Sequence, residues 1–352
     1  SIVFCLVRFY ASGVGSSDIH FDTPVAPKRP RALGLFSGGL DSQLAVCVLR
    51  RLGIHSETVF FESPFADSYR ARRAAADLGV FLHVVDFTRD IVGLIENPKH
   101  GFGSCLNPCI DCHALMIQRT ADMMREMKFD FVFTGEVLDQ RPMSQRRQAL
   151  DTVARESGEN DAVLRPLSAL KLPPTQPERT GLVDRSRLLD IEGRGRRRQF
   201  EMAEEFGLHD YPTPAGGCRL TEPNYCRRLL DLKKHEGLFG AHALDLLRVG
   251  RHFRLSPDLK AIVGRNENDN AALEGGAELY DLILKTEDVP GPTALLPFTA
   301  SESQIRLAAA ICARYSDGRQ GDDITVKVRS ARETRRVKVK AAPRDLVDSF
   351  MI

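Results

Sequence analysis

Four short apolar runs, separated by amphipathic stretches, constrain this chain more than any other feature. "RALGLF" (31–36), "SETVFFES" (56–63), "FLHVVDF" (81–87) and "DFVFTG" (130–135) read as strands. "DSQLAVCVLRRLG" (41–53), "DSYRARRAAADLGV" (67–80) and "CHALMIQRTADMMREMKF" (112–129) carry helical spacing between them. Strands alternating with helices build right-handed βαβ units, hence a parallel sheet with helices on both faces. The expected fold class is therefore α/β over about residues 31–165.

The pattern breaks at the proline-rich "RPLSALKLPPTQPE" (165–178). "DRSRLLDIEG" (184–193) and "RRRQFEMAEEFGL" (196–208) then read as short helices, followed by the loop "YPTPAGGCRLTEP" (211–223). Beyond about residue 239 the texture is that of a small C-terminal α+β domain, with "SESQ" (301–304) as a helix capping box. The expected division is a poorly defined segment 1–30, a nucleotide-type domain 31–165, a linker and second-cysteine region 166–238, and the last domain 239–352.

A net charge of +2 announces no partner by itself, but "GRGRRRQ" (193–199) and "RSARETRRVKVKAAPR" (329–344) are locally basic. No apolar run reaches the roughly 18 residues of a membrane span. The start "SIVFCLVRFY" holds Arg8 and lacks the basic region of a secretory signal. Eight unevenly spaced cysteines suit a reducing compartment better than a disulfide scaffold. A cytoplasmic protein without membrane contact is expected.

"LFSGGLDSQLA" (35–45) lies where the first strand runs into the first helix. Glycines there let backbone N–H groups close on an anion, and the hydroxyls of Ser37 and Ser42 add donors. Asp41 would repel a bare phosphate, an objection removed if it binds a metal ion alongside the phosphates. The loop lacks the lysine of the G-x-x-x-x-G-K-[ST] motif and the spacing of the G-x-G-x-x-G fingerprint. "SGGLDS" resembles the S-G-G-x-D-S loop of the PP-loop ATP pyrophosphatases. That resemblance implies an adenine-nucleotide alpha-hydrolase-like fold and cleavage of ATP between its α and β phosphates. It places ATP and Mg²⁺ on Ser37, Gly38, Gly39, Asp41 and Ser42, with Thr134 and Gly135 of "DFVFTGE" near the nucleotide.

"GSCLNPCIDCHALM" (103–116) supplies Cys105, Cys109 and Cys112, and "PAGGCRLT" supplies Cys218. Cys109 and Cys112, set just ahead of a helix, are placed for a dipole-lowered thiol pKa. Cys47 reads as core, and Cys5, Cys226 and Cys312 have no evident companions. Three chemistries fit the set: a zinc site, a catalytic thiol pair formed by Cys112 and Cys218, or a [4Fe-4S] cluster on Cys109, Cys112 and Cys218.

"NPCIDCH" is similar to the N-P-x-x-x-C segment of the tRNA thiouridylases of the PP-loop group, matching at Asn107, Pro108 and Cys112. Cys109 stands where many of those relatives carry Asp. The resemblance implies an ATP-dependent tRNA sulfurtransferase, whose partners are tRNA and a sulfur donor. Such an enzyme adenylates a uridine carbonyl oxygen and replaces it with sulfur from a persulfide or a cluster-bound sulfide. The alternatives are an adenylating amide- or lysidine-type ligase and a non-catalytic, ATP-sensing RNA-binding adaptor.

For RNA phosphates the sequence offers Arg194, Arg196, Arg197 and Arg198, read as one helix, against the bland alternative of a solvated helix face. The segment 240–345, with "VGRNENDN", resembles the RNA-binding domain of NFACT-type proteins. It implies RNA contacts from Arg265, Asn266 and the basic tail, the alternative being a structural β-hairpin. Because this domain differs from the usual 2-thiouridylase tail, the reading leans to 4-thiouridine.

Overall fold

A computed structural model describes residues 29–141, 144–211, 218–238, 240–279, 281–319 and 321–352. The segment 1–30 thus lies almost wholly outside the described residues, as does all of "PAGG" before Cys218. Strands β1 (Arg31–Leu35), β2 (His55–Glu62), β3 (Leu82–Asp86), β4 (Phe131–Thr134) and β5 (Val163–Leu164) form one sheet in the order β3-β2-β1-β4-β5. Every pairing in it is parallel.

Side-chain alternation along the strands separates two apolar layers. Ala32, Phe131 and Phe133 face helices Leu40–Arg51, Tyr69–Leu78 and Arg197–Phe206. Leu33, Val59 and Phe61 face helices Thr88–Glu96, Cys109–Glu126 and Pro223–His235. The sheet is therefore covered on both faces, as the alternating pattern requires. Gly34 in β1 makes room for the ring of Phe133, because a Cβ there would lie 2.2 Å from its Cζ.

The chain builds outward from β1 to β3, then returns to place β4 on the other side of β1. At such a reversal the loops leaving adjacent strands diverge, and a crevice opens beyond their C-terminal ends. Leu35, the last residue of β1, pairs with Thr134, the last of β4. The glycine loop and the Thr134–Gly135 segment therefore flank the same crevice.

"DRSRLLDIEG" does not form the expected helix. It makes only a 3₁₀ turn at Arg185–Arg187, where the Asp184 carboxylate accepts the Ser186 N–H. Leu189 and Ile191 then donate their N–H groups to Pro166 and Leu167, which draws the segment out straight.

The second sheet contains β6 (Arg251–Ser256), β7 (Leu259–Val263), β8 (Asp281–Thr286), β9 (Thr293–Pro297), β10 (Asp323–Arg329) and β11 (Thr334–Lys340). It is antiparallel in the order β11-β10-β8-β9-β7-β6. Helix Glu302–Arg314 begins in the Ser301/Gln304 capping box and buries Ile305, Ala309 and Cys312 against Leu284 and Val326. Among the described residues no helix is long and apolar enough to cross a membrane.

Candidate active site

The glycine loop is shaped by close backbone approach. Gly38 has φ +74°, and a Cβ on it would lie 2.8 Å from the Arg70 carbonyl oxygen and 2.9 Å from the Ala71 Cα. Gly39 is the N-cap of helix Leu40–Arg51 and supplies no side-chain cap. The first-turn N–H groups thus have no side-chain acceptor, the arrangement that receives phosphate oxygens. Ser42 Oγ donates to the Gly39 carbonyl at 2.8 Å and lies 3.4 Å from Ser37 Oγ. A Cβ on Gly135 would meet Ser42 Cα and N at 2.6 Å, so the end of β4 presses directly on the loop. Ser37, Gly38, Gly39, Asp41, Ser42, Thr134 and Gly135 are brought together at one strand reversal. The Thr134 hydroxyl is nevertheless turned inward and donates to Glu136 Oε2 at 3.0 Å.

Asp41 has one partnered and one unpartnered oxygen. Its Oδ2 accepts from Gln140 Nε2 at 2.7 Å and from an Arg196 guanidinium nitrogen at 3.1 Å. Its Oδ1 is buried with no hydrogen-bond partner. An orphaned buried carboxylate oxygen beside an open anion site fits a hard cation such as Mg²⁺, which takes one or two protein carboxylates and fills its shell from phosphates and water. Arg196, read from sequence as an RNA contact on a helix, instead precedes that helix as its N-cap and holds Asp41. A run of basic residues shows charge but not the long-range partner that fixes one of them.

Helix Cys109–Glu126 begins three residues before Cys112, which places Cys109 rather than Cys112 in its first position. His113, one turn along, hydrogen-bonds the Cys109 thiol. His113 Nδ1 lies 3.2 Å from Glu136 Oε1. Glu136 Oε2 accepts from Arg165 Nε at 2.9 Å and from the Thr134 hydroxyl. A hydrogen-bonded line thus runs from the end of β4 through Glu136 and His113 to Cys109.

Electrostatics along that line favour charge on the thiol. Burial alone would raise the Glu136 pKa, but Arg165 and His113 outweigh it and hold it down at about 2. Burial would lower the His113 pKa, yet its bonds to Cys109 and Glu136 lift it to about 10. Burial would raise the Cys109 pKa, but the His113 hydrogen bond and charge, helped by Ser144 and Arg141, bring it below the ordinary thiol value. Cys112 departs from expectation. Its thiol is pushed up, first by burial and then by Cys218, Cys109 and Asp111. Cys218 is likewise raised to about 11, mainly by burial. Both pack against the apolar cluster that contains Phe65, Leu106 and Leu220.

The three thiols sense one another electrostatically. Among the described residues, however, no three His, Cys, Asp or Glu side chains converge so as to hold a metal ion.

Most of the remaining basic candidates already have partners. Arg197 pairs with Glu201 at 2.8 Å and Arg198 with Asp190, both at exposed positions. Arg194 is exposed ahead of the helix. Arg265 clasps Asp269 through Nε at 2.6 Å and a terminal nitrogen at 3.2 Å. Asn266 caps helix Glu267–Gly275 by accepting the Asp269 N–H at 2.9 Å. In the structure they shape a strand-to-helix turn rather than a hairpin. Along β11, Val337 and Val339 face inward while Arg336, Lys338 and Lys340 alternate on the exposed face. Glu136, His113 and Arg165 were not singled out from sequence. The Cys109–His113 spacing and the glutamate directly after Thr134–Gly135 were the signals available.

Residues 28–171 match the family model described as thiamine biosynthesis protein (ThiI), and residues 250–351 that of the NFACT protein RNA binding domain. No curated protein matches the chain. Similar solved structures include the C-terminal part of the fibronectin/fibrinogen-binding protein from Streptococcus suis, at 14% identity and TM-score 0.28, covering 45% of this chain and 79% of that one. A predicted subunit of tRNA methyltransferase from Methanocaldococcus jannaschii is 19% identical with TM-score 0.33, covering 50% of this chain and 76% of that one. A 4-thiouridine synthetase solved as an RNA complex with bound ATP is 22% identical with TM-score 0.37. There the likeness covers 51% of this chain and 41% of the other.

Proposed function

From the premise of a ThiI-like PP-loop domain joined to an NFACT-type RNA-binding domain, we propose that this chain is an ATP-dependent tRNA sulfurtransferase making 4-thiouridine. What carries the reading is the line Thr134–Glu136–His113–Cys109, which ties an activated thiol to the strand end pressed against the glycine loop. A nucleotide loop alone would serve any adenylating enzyme. A thiol of lowered pKa wired to its floor serves one that moves sulfur.

The loop N–H groups and the Ser37 hydroxyl hold the ATP phosphates, and Asp41 Oδ1 is the site for Mg²⁺, which would neutralise phosphate charge there. Arg196 must loosen from Asp41 and is then free to face the phosphates. Attack of the uridine carbonyl oxygen on the α phosphorus releases pyrophosphate and leaves AMP on that oxygen. A poor leaving group thereby becomes a good one.

Cys109, its pKa lowered beside His113, takes as thiolate the outer sulfur of a hydropersulfide, whose S–S bond breaks as a new one forms. The outer sulfur of the resulting persulfide attacks the activated carbon and AMP departs. A neighbouring thiol, Cys112 or Cys218, then attacks the Cys109 sulfur. This step frees thiouridine and leaves a Cys–Cys disulfide for an external thiol to reduce. Burial raises the Cys112 and Cys218 pKa values, so the resolving residue attacks as a thiol and passes its proton to the departing thiouridine sulfur. The exposed Lys338 and Lys340 of β11 offer phosphate contacts to the tRNA backbone, beside an Arg336 that Glu287 holds.

The test is anaerobic incubation of the chain with unmodified tRNA, ATP, Mg²⁺ and glutathione hydropersulfide, followed by mass spectrometry of the digested nucleosides. 4-Thiouridine formed together with AMP and pyrophosphate is expected. Absence of any thiolated nucleoside overturns the reading. Cys109→Ser with full ATP-dependent tRNA modification would point to the ligase chemistry instead.

A further inference from the structure

Two cysteines outside the site just described lie together. Cys105 is exposed and Cys226 is buried. They line one cavity, and the Cys226 thiol senses both Cys105 and the Leu106 backbone beside it. Both sulfurs also reach successive carbonyls of one turn, Cys105 to Thr221 at 3.9 Å and Cys226 to Leu220 at 3.1 Å. Cys105 is held at φ +55°, a left-handed conformation that costs a non-glycine residue about 1 kcal/mol.

The pair lines a cavity of about 550 Å³ that also includes Leu106, Leu230, Asn224 and Arg227. That volume suits a small molecule. Arg227 bonds the neutral Asn224 side chain at 2.6 Å, and among the described residues no carboxylate pairs with it. The cavity therefore offers one uncompensated cation beside two thiols. On its inner side Cys226 lies within electrostatic reach of Cys218, which in turn senses Cys109.

We propose that Cys105 and Cys226 form the port through which sulfur enters, and that the ligand of this cavity is a low-molecular-weight hydropersulfide bearing a carboxylate. The inference rests on the sulfurtransferase reading and names the donor that reading requires. The Cys105 thiolate attacks the outer sulfur of R–S–SH. The donor's S–S bond breaks, a new S–S bond forms on Cys105, and R–S⁻ leaves. Cys226 then attacks the outer sulfur of the Cys105 persulfide, passing its own proton to the released Cys105 thiolate. Each step exchanges one S–S bond for another, so no oxidant or reductant is consumed. Arg227 holds the donor's carboxylate.

The chain is incubated with glutathione hydropersulfide alone, without ATP or tRNA, then alkylated. Fragment-ion mass spectrometry reads which sulfurs carry the extra atom. Sulfur is expected on Cys105 first and later on Cys218 and Cys109. In Cys105→Ser the loading of Cys109 falls at least about tenfold, since direct exchange must then reach less accessible thiols. In Cys226→Ala sulfur accumulates on Cys105. Arg227→Glu raises the donor concentration for half-maximal loading about tenfold, as loss of one charge-assisted contact does. ATP affinity of all three variants, measured by calorimetry, stays at the wild-type value and reports an intact fold. Wild-type loading of Cys109 in Cys105→Ser overturns the port. Correct loading without thiouridine once tRNA and ATP are added overturns the proposed function and leaves the port standing.

Discussion

Two turns of this molecule begin alike and end differently. Each follows a strand with a glycine, opens a helix, and places an aspartate in its first turn: Ser37–Ser42 after β1, and Gly264–Asp269 after β7. At 264–269 the side chains that shape the turn are answered. Asn266 caps the helix and Arg265 clasps Asp269. Gly264 leaves space for the Asn270 amide, whose oxygen accepts the Thr293 N–H at 2.9 Å. At 37–42 the cap position is a bare glycine and Asp41 keeps an unpaired buried oxygen. The satisfied turn holds a fold together. The unsatisfied one waits for a ligand, because a buried polar atom left without a partner costs about 1–3 kcal/mol unless something else supplies it.

The sharpest way to break this contrast is to make the same change in both turns. Asp41→Asn is expected to cut tRNA-dependent pyrophosphate release by about 10²–10³-fold, as loss of an electrostatic group at a reacting phosphate does, with little change in melting temperature. Asp269→Asn should do the reverse, costing about 1–3 kcal/mol in urea unfolding and leaving turnover per folded molecule unchanged. Arg265 holds the Asp269 pKa below the ordinary carboxylate range. The wild-type contribution is therefore present above that range and lost as pH falls through the lowered value. Asp269→Asn should consequently lie closest to wild type in stability at low pH. Equal effects of the two substitutions on catalysis would abolish the distinction.

Glycine replacement comes next in size. Alanine at position 38 meets backbone on both contacts and an unfavourable φ, so about 2–4 kcal/mol and loss of ATP binding are expected. Alanine at position 264 would meet the Asn270 side-chain oxygen at 2.1 Å, which can swing away at the loss of one hydrogen bond. About 1–3 kcal/mol is expected there, read by thermal unfolding, with ATP affinity intact.

The same contrast separates Cys109 from Cys112, two thiols of one C-x-x-C. The thiolate is the form that alkylates, and the lowered Cys109 pKa carries its reactivity to lower pH than an ordinary thiol allows. Removing the positive partner in His113→Ala should move the midpoint of the Cys109 alkylation profile upward and slow the reaction at pH 7 about tenfold. Peptide-resolved iodoacetamide labelling reads this. An unmoved midpoint would detach His113 from the thiol.

What is legible in the amino-acid order alone follows the range of each interaction. Strand–helix alternation and the glycine loop are local, so residues 31–135 and Ser37–Ser42 were legible. Cys109 was legible as a member of a motif, but not as the activated thiol. Its charge depends on Glu136 and Arg165, which leave other strands. The pairing of Arg196 was hidden for the same reason, since its partner Asp41 is 155 positions away. Cys226 showed no companion until the fold set Cys105 against it. The "VGRN" turn was legible as a motif, while the work of its residues became clear only from who accepts each hydrogen.

The smallest effect is the most direct test of what the bare cap at Gly39 is for. Gly39 sits at φ −78°, ψ 163°, a conformation open to any residue, so the lack of a capping side chain is not forced by the backbone. Asn at that position should answer the free first-turn N–H groups and add a few tenths of a kcal/mol of stability. It should also weaken ATP binding, because its amide oxygen occupies the donors that phosphate needs. Asn266→Ala, the opposite change at the satisfied turn, should cost about 1 kcal/mol and leave ATP affinity alone. Calorimetric titration with ATP alongside thermal unfolding of both variants reads the pair. If Gly39→Asn binds ATP as tightly as wild type, the first-turn N–H groups are not the phosphate site and the two turns differ only in decoration.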